Sequence, residues 1–160
     1  MPLPTTRHPP AVCGAWLFGA TGAVAIIVAG GLSAVLAHAP TRAAMWLTAY
    51  LVLVVGVAQV ALGAGQARLA SRSPTQALLG SEWLLFNGAN ALVVAGRLLV
   101  RPSAVVWGTV VLAVALGLFL RGVSGAGGGW LLRAYRLFVA LLACSALVGV
   151  GLSLFTTQAT

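Results

Sequence analysis

Residues 80–101, GSEWLLFNGANALVVAGRLLVR, decide how this chain is read. The run is apolar and long enough to cross a bilayer core of about 30 Å at roughly 1.5 Å per helical residue. Yet it holds Glu82, the only acidic residue in the sequence, and both asparagines, Asn87 and Asn90. At roughly 100° per residue, Trp83, Asn87, Asn90, Val94 and Arg97 share a helical face about 80° wide. Acyl chains cannot satisfy amide groups, so this stripe is expected to turn toward other helices or a cavity. The segment reads as the inner wall of a helical bundle.

The composition around it agrees. Of 160 residues, 61% are hydrophobic and 6% charged, with a mean hydropathy of +1.06. Such values belong to polytopic membrane proteins. The formal charge of +8 comes from nine arginines set against Glu82. They stand singly or in pairs at the ends of apolar runs, as topology signals and headgroup anchors do. No soluble domain is left to bind nucleic acid, so a nucleic-acid partner is excluded.

The expected fold is an all-α, five-transmembrane-helix bundle in one domain, 11–155, with spans at 11–37, 43–65, 80–100, 103–120 and 130–155. Residues 1–10 (MPLPTTRHPP) read as a cytoplasmic tail and 156–160 as an exported one. The first apolar run is about 27 residues, much longer than the roughly 7–15 of a cleavable signal's core, so it reads as an uncleaved span. Pro40, the polar stretch 66–74, Arg101-Pro102 and the glycine-rich 122–129 separate the spans. Arg7, Arg68, Arg72, Arg121, Arg133 and Arg136 fall on one side, and Arg42, Arg97 and Arg101 on the other. That balance predicts a cell (plasma or inner) membrane protein with a cytoplasmic N-terminus and an exported C-terminus.

Depths along the spans then suggest partners. Glu82 lies level with Arg133 and Arg136 near the start of the fifth span, which predicts a structural ion pair. In the second span Gly56, Gln59, Gly63 and Gln66 form a small-plus-amide strip suited to helix packing. Trp46 and Tyr50 lie on a nearly opposite face. They are candidates to cap a ligand pocket that Trp83, Asn87 and Asn90 help to line, with His38 at its mouth. Asn87 and Asn90 have an alternative task as interhelical hydrogen-bonding groups toward Gln59 or backbone. Cys13 and Cys144 read as apolar fillers, and no CxxC, paired histidine or other metal-ligand spacing occurs. One Glu, no Asp, no Lys and two distant histidines give acid–base chemistry little to work with, so no enzyme activity is expected.

Several short motifs resemble the translocator protein / tryptophan-rich sensory protein family. Ala39-Pro40 followed by Trp46 and Tyr50 is similar to the proline-containing start of that family's second span. Residues 82–87, EWLLFN, resemble its third-span block, Gly96-Arg97 the residues closing that span, and Ala134-Tyr135 the Pro-Tyr of its last span. The family's Trp-x-Pro-Pro block and the long loop after its first span have no counterpart here. The resemblance implies a five-helix bundle, often dimeric, that binds porphyrins or sterol-like lipids between helices, and it adds Tyr135 to the candidate ligand residues. The resulting expectation is a non-enzymatic membrane protein holding an apolar, tetrapyrrole or lipid ligand, surrounded by membrane lipid and able to form a homodimer. The alternative is a small accessory subunit packed among partner membrane subunits of a respiratory or transport complex.

Overall fold

A computed structural model describes residues 10–71 and 74–158, with side-chain packing described for 15–71 and 74–151. The expected tail 1–10 falls outside the described residues except for Pro10, as do Arg7, His8, Arg72 and the side chain of Cys13. The elements are α1 (Pro10–Leu36), α2 (Arg42–Tyr50), a π-helical segment (Leu51–Ala58), α3 (Gln59–Leu69), α4 (Gln76–Leu98), α5 (Pro102–Gly122) and α6 (Trp130–Gln158). The second, π-helical and third pieces form one continuous rod, Arg42–Leu69, of 28 residues. Among the described residues, five helices are therefore long and apolar enough to cross a membrane. The fifth continues to Gln158, through most of the stretch expected to be a tail.

Local chemistry fixes where the helices begin and end. Thr41 caps α2, its hydroxyl accepting from the Ala44 amide at 3.1 Å, and Thr75 caps α4 by accepting from Leu78 at 3.3 Å. Each satisfies a backbone donor left open in the first turn. Pro102 starts α5, where its missing N–H costs nothing. Between α4 and α5, Val100 adopts φ 53° and the Arg101 amide donates to the Gly96 carbonyl at 2.7 Å. This is the left-handed C-terminal closure usually given to glycine, here imposed on a β-branched residue.

Two hairpins make up most of the bundle. In one, α1 runs along the rod of α2, π-segment and α3; in the other, α4 runs along α5, while α6 joins α5 and α3. Glycines set the close approach within each. A Cβ on Gly22 would lie 2.8 Å from the Gly56 carbonyl oxygen, and one on Gly63 would lie 2.5 Å from Phe18 Cβ. A Cβ on Gly108 would sit 2.9 Å from both the Ala89 oxygen and the Val93 nitrogen, and one on Gly96 would be 2.7 Å from the Val105 nitrogen. Lipid tails are as apolar as leucine, so helices in a membrane gain by packing closely and not by escaping water.

In the lower half of the bundle the hairpins meet on three phenylalanines. Phe119 of α5 takes Phe18 edge-on at 5.2 Å and Phe86 at 6.3 Å. All three are essentially fully buried, and such pairs add about 0.5–1.5 kcal/mol each beyond their burial. The outer faces carry exposed Trp16, Ile27, Val35, Leu137, Leu141 and Leu147, a surface suited to acyl chains.

Candidate functional site

The π-helical segment determines which side chains can reach the centre. At a uniform 100° or so per residue, Tyr50 and Gln66 would point about 160° apart. That is the basis for expecting the Trp46–Tyr50 pair opposite the Gly56–Gln66 strip. In the structure both reach α4. The Tyr50 hydroxyl donates to Asn90 Oδ1 at 2.7 Å, and Gln66 Nε2 donates to both carboxyl oxygens of Glu82, at 2.9 and 3.0 Å. Bonds from i to i+5 widen each turn, so every residue of the π segment rotates by less than in an α-helix. Over the eight residues 51–58 the deficit accumulates and brings Tyr50 round to the side of Gln66.

Three polar contacts at three depths thus join the first hairpin to α4. At the lower end, where the α3–α4 and α5–α6 connections lie, Gln66 and Glu82 are both buried. Gly122 makes room for this pair, since a Cβ there would come within 2.5 Å of Gln66 Nε2. Gly65 likewise sits under the Tyr135 ring, whose hydroxyl donates to the Leu62 carbonyl at 3.4 Å. The hydrogen-bond donor to Glu82 is therefore Gln66, whereas Arg133 and Arg136 are exposed. The face of α6 that meets the core presents Leu132, Tyr135 and Val139 instead.

In the middle layer Thr21 is the hub. Its hydroxyl donates to the Leu17 carbonyl at 2.8 Å and accepts from Gln59 Nε2 at 2.6 Å and Trp83 Nε1 at 3.3 Å. Gln59 Oε1 is buried with no hydrogen-bond partner among the described residues. Turning the amide over would not cure this, because Thr21 has one proton and already gives it to Leu17. In the upper layer Asn90 holds Tyr50 while its own Nδ2 donates to the Phe86 carbonyl at 2.7 Å, and Trp46 stacks on Tyr50 with ring centroids 5.1 Å apart.

Beside this upper layer lies a cavity of about 520 Å³, walled mainly by apolar side chains. That volume is typical of pockets for drug-sized ligands, about 300–1,000 Å³. Trp46, Tyr50 and Phe86 form one wall, Thr109 and Leu112 of α5 another, and Ser145 and Ala146 of α6 a third. Arg97 is the one charged side chain among the described residues that line it.

Of the expected ligand residues, Trp46 and Tyr50 line this space and the others have different tasks. Asn90 stands behind Tyr50 and orients its phenol. Trp83 faces Thr21, Asn87 donates back to the Trp83 carbonyl at 2.9 Å, and Tyr135 belongs to the lower layer. Gly56, Gln59, Gly63 and Gln66 are all buried within the chain itself. His38 and Cys144 are exposed, and no group of three or more potential metal ligands occurs among the described residues. Sequence reasoning missed Phe86, Thr109, Ser145 and the cavity-facing role of Arg97. Only Arg97 left a signal, by sharing the face of Asn90. Comparison with protein-family models, with characterised proteins and with solved structures finds no match to this chain.

Proposed function

We propose that this protein is a non-enzymatic membrane protein that holds an apolar, lipid- or tetrapyrrole-like ligand in the cavity between α2, α4, α5 and α6. The observation carrying this reading is the stacked Trp46–Tyr50 pair, pinned by Asn90, beside an apolar space of about 520 Å³. Rigid aromatics with few polar groups are what such ligands need, since shape and burial supply affinity and one or two hydrogen bonds supply orientation. The resemblance of the Trp46, Tyr50 and 82–87 motifs to the translocator protein family points the same way. On the arginine distribution the N-terminus is cytoplasmic and the upper end of the bundle, with the mouth beside Arg97, faces outward. The accessory-subunit alternative loses support from the Gly56–Gln66 strip, which α1 and α4 already occupy.

Tryptophan fluorescence of the purified full chain in neutral detergent tests the reading. Titrated protoporphyrin or a brominated long-chain alcohol is expected to quench Trp46 saturably, and Tyr50→Ala to weaken binding about tenfold. Emission that stays unchanged, or falls linearly without saturation and identically in the variant, would overturn it.

A further inference from the structure

Two features of the cavity narrow its occupant. The first is the charge at its rim. Arg97, in the last turn of α4, lines the space and has no acid or hydrogen-bond acceptor as a partner among the described residues. Phe86 lines the same cavity eleven residues earlier on α4, about 16 Å lower at 1.5 Å per residue. The space is therefore long and apolar, with a cation at one end.

The second feature is a neighbouring hollow on the side of the bundle. A further apolar hollow of about 440 Å³ lies between α5 and α6 and shares Thr109, Leu112, Leu116 and Ala146 with the main cavity. Its other lining residues include Val110, Val114 and Leu147, which are exposed on the outer surface of the bundle. The two hollows thus adjoin across these four shared side chains, one reaching the surface facing lipid and the other the Arg97 end. Small side chains, Ala113, Ala143 and Ala146, line this gap.

Resting on the ligand-binding reading above, we propose that the ligand is a single-chain anionic lipid, a long-chain carboxylate drawn from the surrounding bilayer. Its chain lies between α5 and α6 and along Phe86, and its acid group pairs with Arg97. A carboxylate suits a guanidinium because two parallel N–H donors match its two oxygens. A water-soluble anion would gain nothing from the apolar wall, and a neutral lipid would leave the exposed Arg97 guanidinium to water. Arg101, one turn further and also exposed, supplies positive charge to the same rim without lining the cavity. It separates a seat from mere surface potential.

The test compares a brominated C16 fatty acid with its methyl ester on the full chain in neutral nanodiscs at pH 8, read by tryptophan quenching. The wild-type protein is expected to bind the acid about tenfold or more tighter than the ester. Arg97→Gln is expected to erase that preference by weakening the acid to about the level of the ester, and Arg101→Gln to leave the preference intact. Ala146→Trp, which fills the junction of the two hollows, is expected to weaken both ligands at least tenfold. Equal affinity for acid and ester in the wild type overturns this assignment and leaves the binding reading standing, as does a preference lost equally in both arginine variants. Unaltered binding of both ligands to Ala146→Trp overturns the seat. Absence of saturable quenching by either ligand overturns the assignment, and by the neutral alcohol and porphyrin as well, the binding reading with it.

Discussion

The contacts inside each hairpin and those between the hairpins are built on opposite plans. Inside, backbone lies against backbone: Gly22 on Gly56, Gly96 on Val105, and Gly108 on Ala89 and Val93. Between the first hairpin and α4, long side chains reach across: Gln66 to Glu82, Trp83 to Thr21, Tyr50 to Asn90. Close backbone contact is strong but cannot leave space, whereas side chains that span a gap hold helices apart. The cavity lies beside the second kind of seam.

The sharpest way to break that contrast is to put a side chain into a glycine seam. Gly108→Leu forces a side chain onto the α4 backbone and is expected to cost about 3 kcal/mol or more, read as loss of folded protein in reversible unfolding from mixed micelles. Gly88→Ala, where a Cβ meets nothing within 4 Å, is the contrasting case. It is expected to be neutral or to stabilise by up to about 1 kcal/mol, the ordinary advantage of alanine over glycine in a helix.

The seam between hairpins should respond to pairing and not to size. Gln66→Leu leaves the buried Glu82 carboxyl without its donor and is expected to cost about 1–3 kcal/mol. Adding Glu82→Leu to it should recover most of that loss, and a double-mutant cycle in the same unfolding assay checks the recovery. Additive losses would show that Gln66 acts by packing alone. The turn between α4 and α5 offers an effect of the other sign. Val100→Gly relieves the left-handed backbone of an exposed residue and should stabilise by about 1 kcal/mol. Smallest of all, Tyr50→Phe removes one hydrogen bond to Asn90, and polar contacts of this kind in membranes average about 0.6 kcal/mol. Its larger consequence should be a looser Trp46–Tyr50 stack, seen as a red shift and higher anisotropy decay of Trp46 emission.

The helices were legible from the sequence because apolar runs broken by Pro40, Arg101-Pro102 and the 122–129 glycines leave few alternatives. The inward turn of Glu82 and Asn90 was legible too, since lipid offers them nothing. What could not be read is the azimuth of the second span. LVLVVGVA, residues 51–58, carries no residue that demands i to i+5 bonding, so angles carried across it from Tyr50 to Gln66 go astray. The partner of Glu82 escaped for a related reason. Charge suggests Arg133 or Arg136, while Gln66 belongs to the expected packing strip and, one residue past the expected end of the span at 65, gives no sign of facing Glu82. The helix in fact continues to Leu69 and keeps Gln66 inside. The cavity itself depends on α6 standing off from α4, and no local pattern encodes a distance between non-neighbouring helices.

The three cross-hairpin contacts also act as a combination lock. Each couples a different donor with a different acceptor: amide to carboxyl, indole to hydroxyl, phenol to amide oxygen. A slip of one hairpin past the other by a single turn, about 5.4 Å, would mismatch all three together. Greasy, glycine-rich rods that could otherwise slide along one another are thereby held to one vertical alignment.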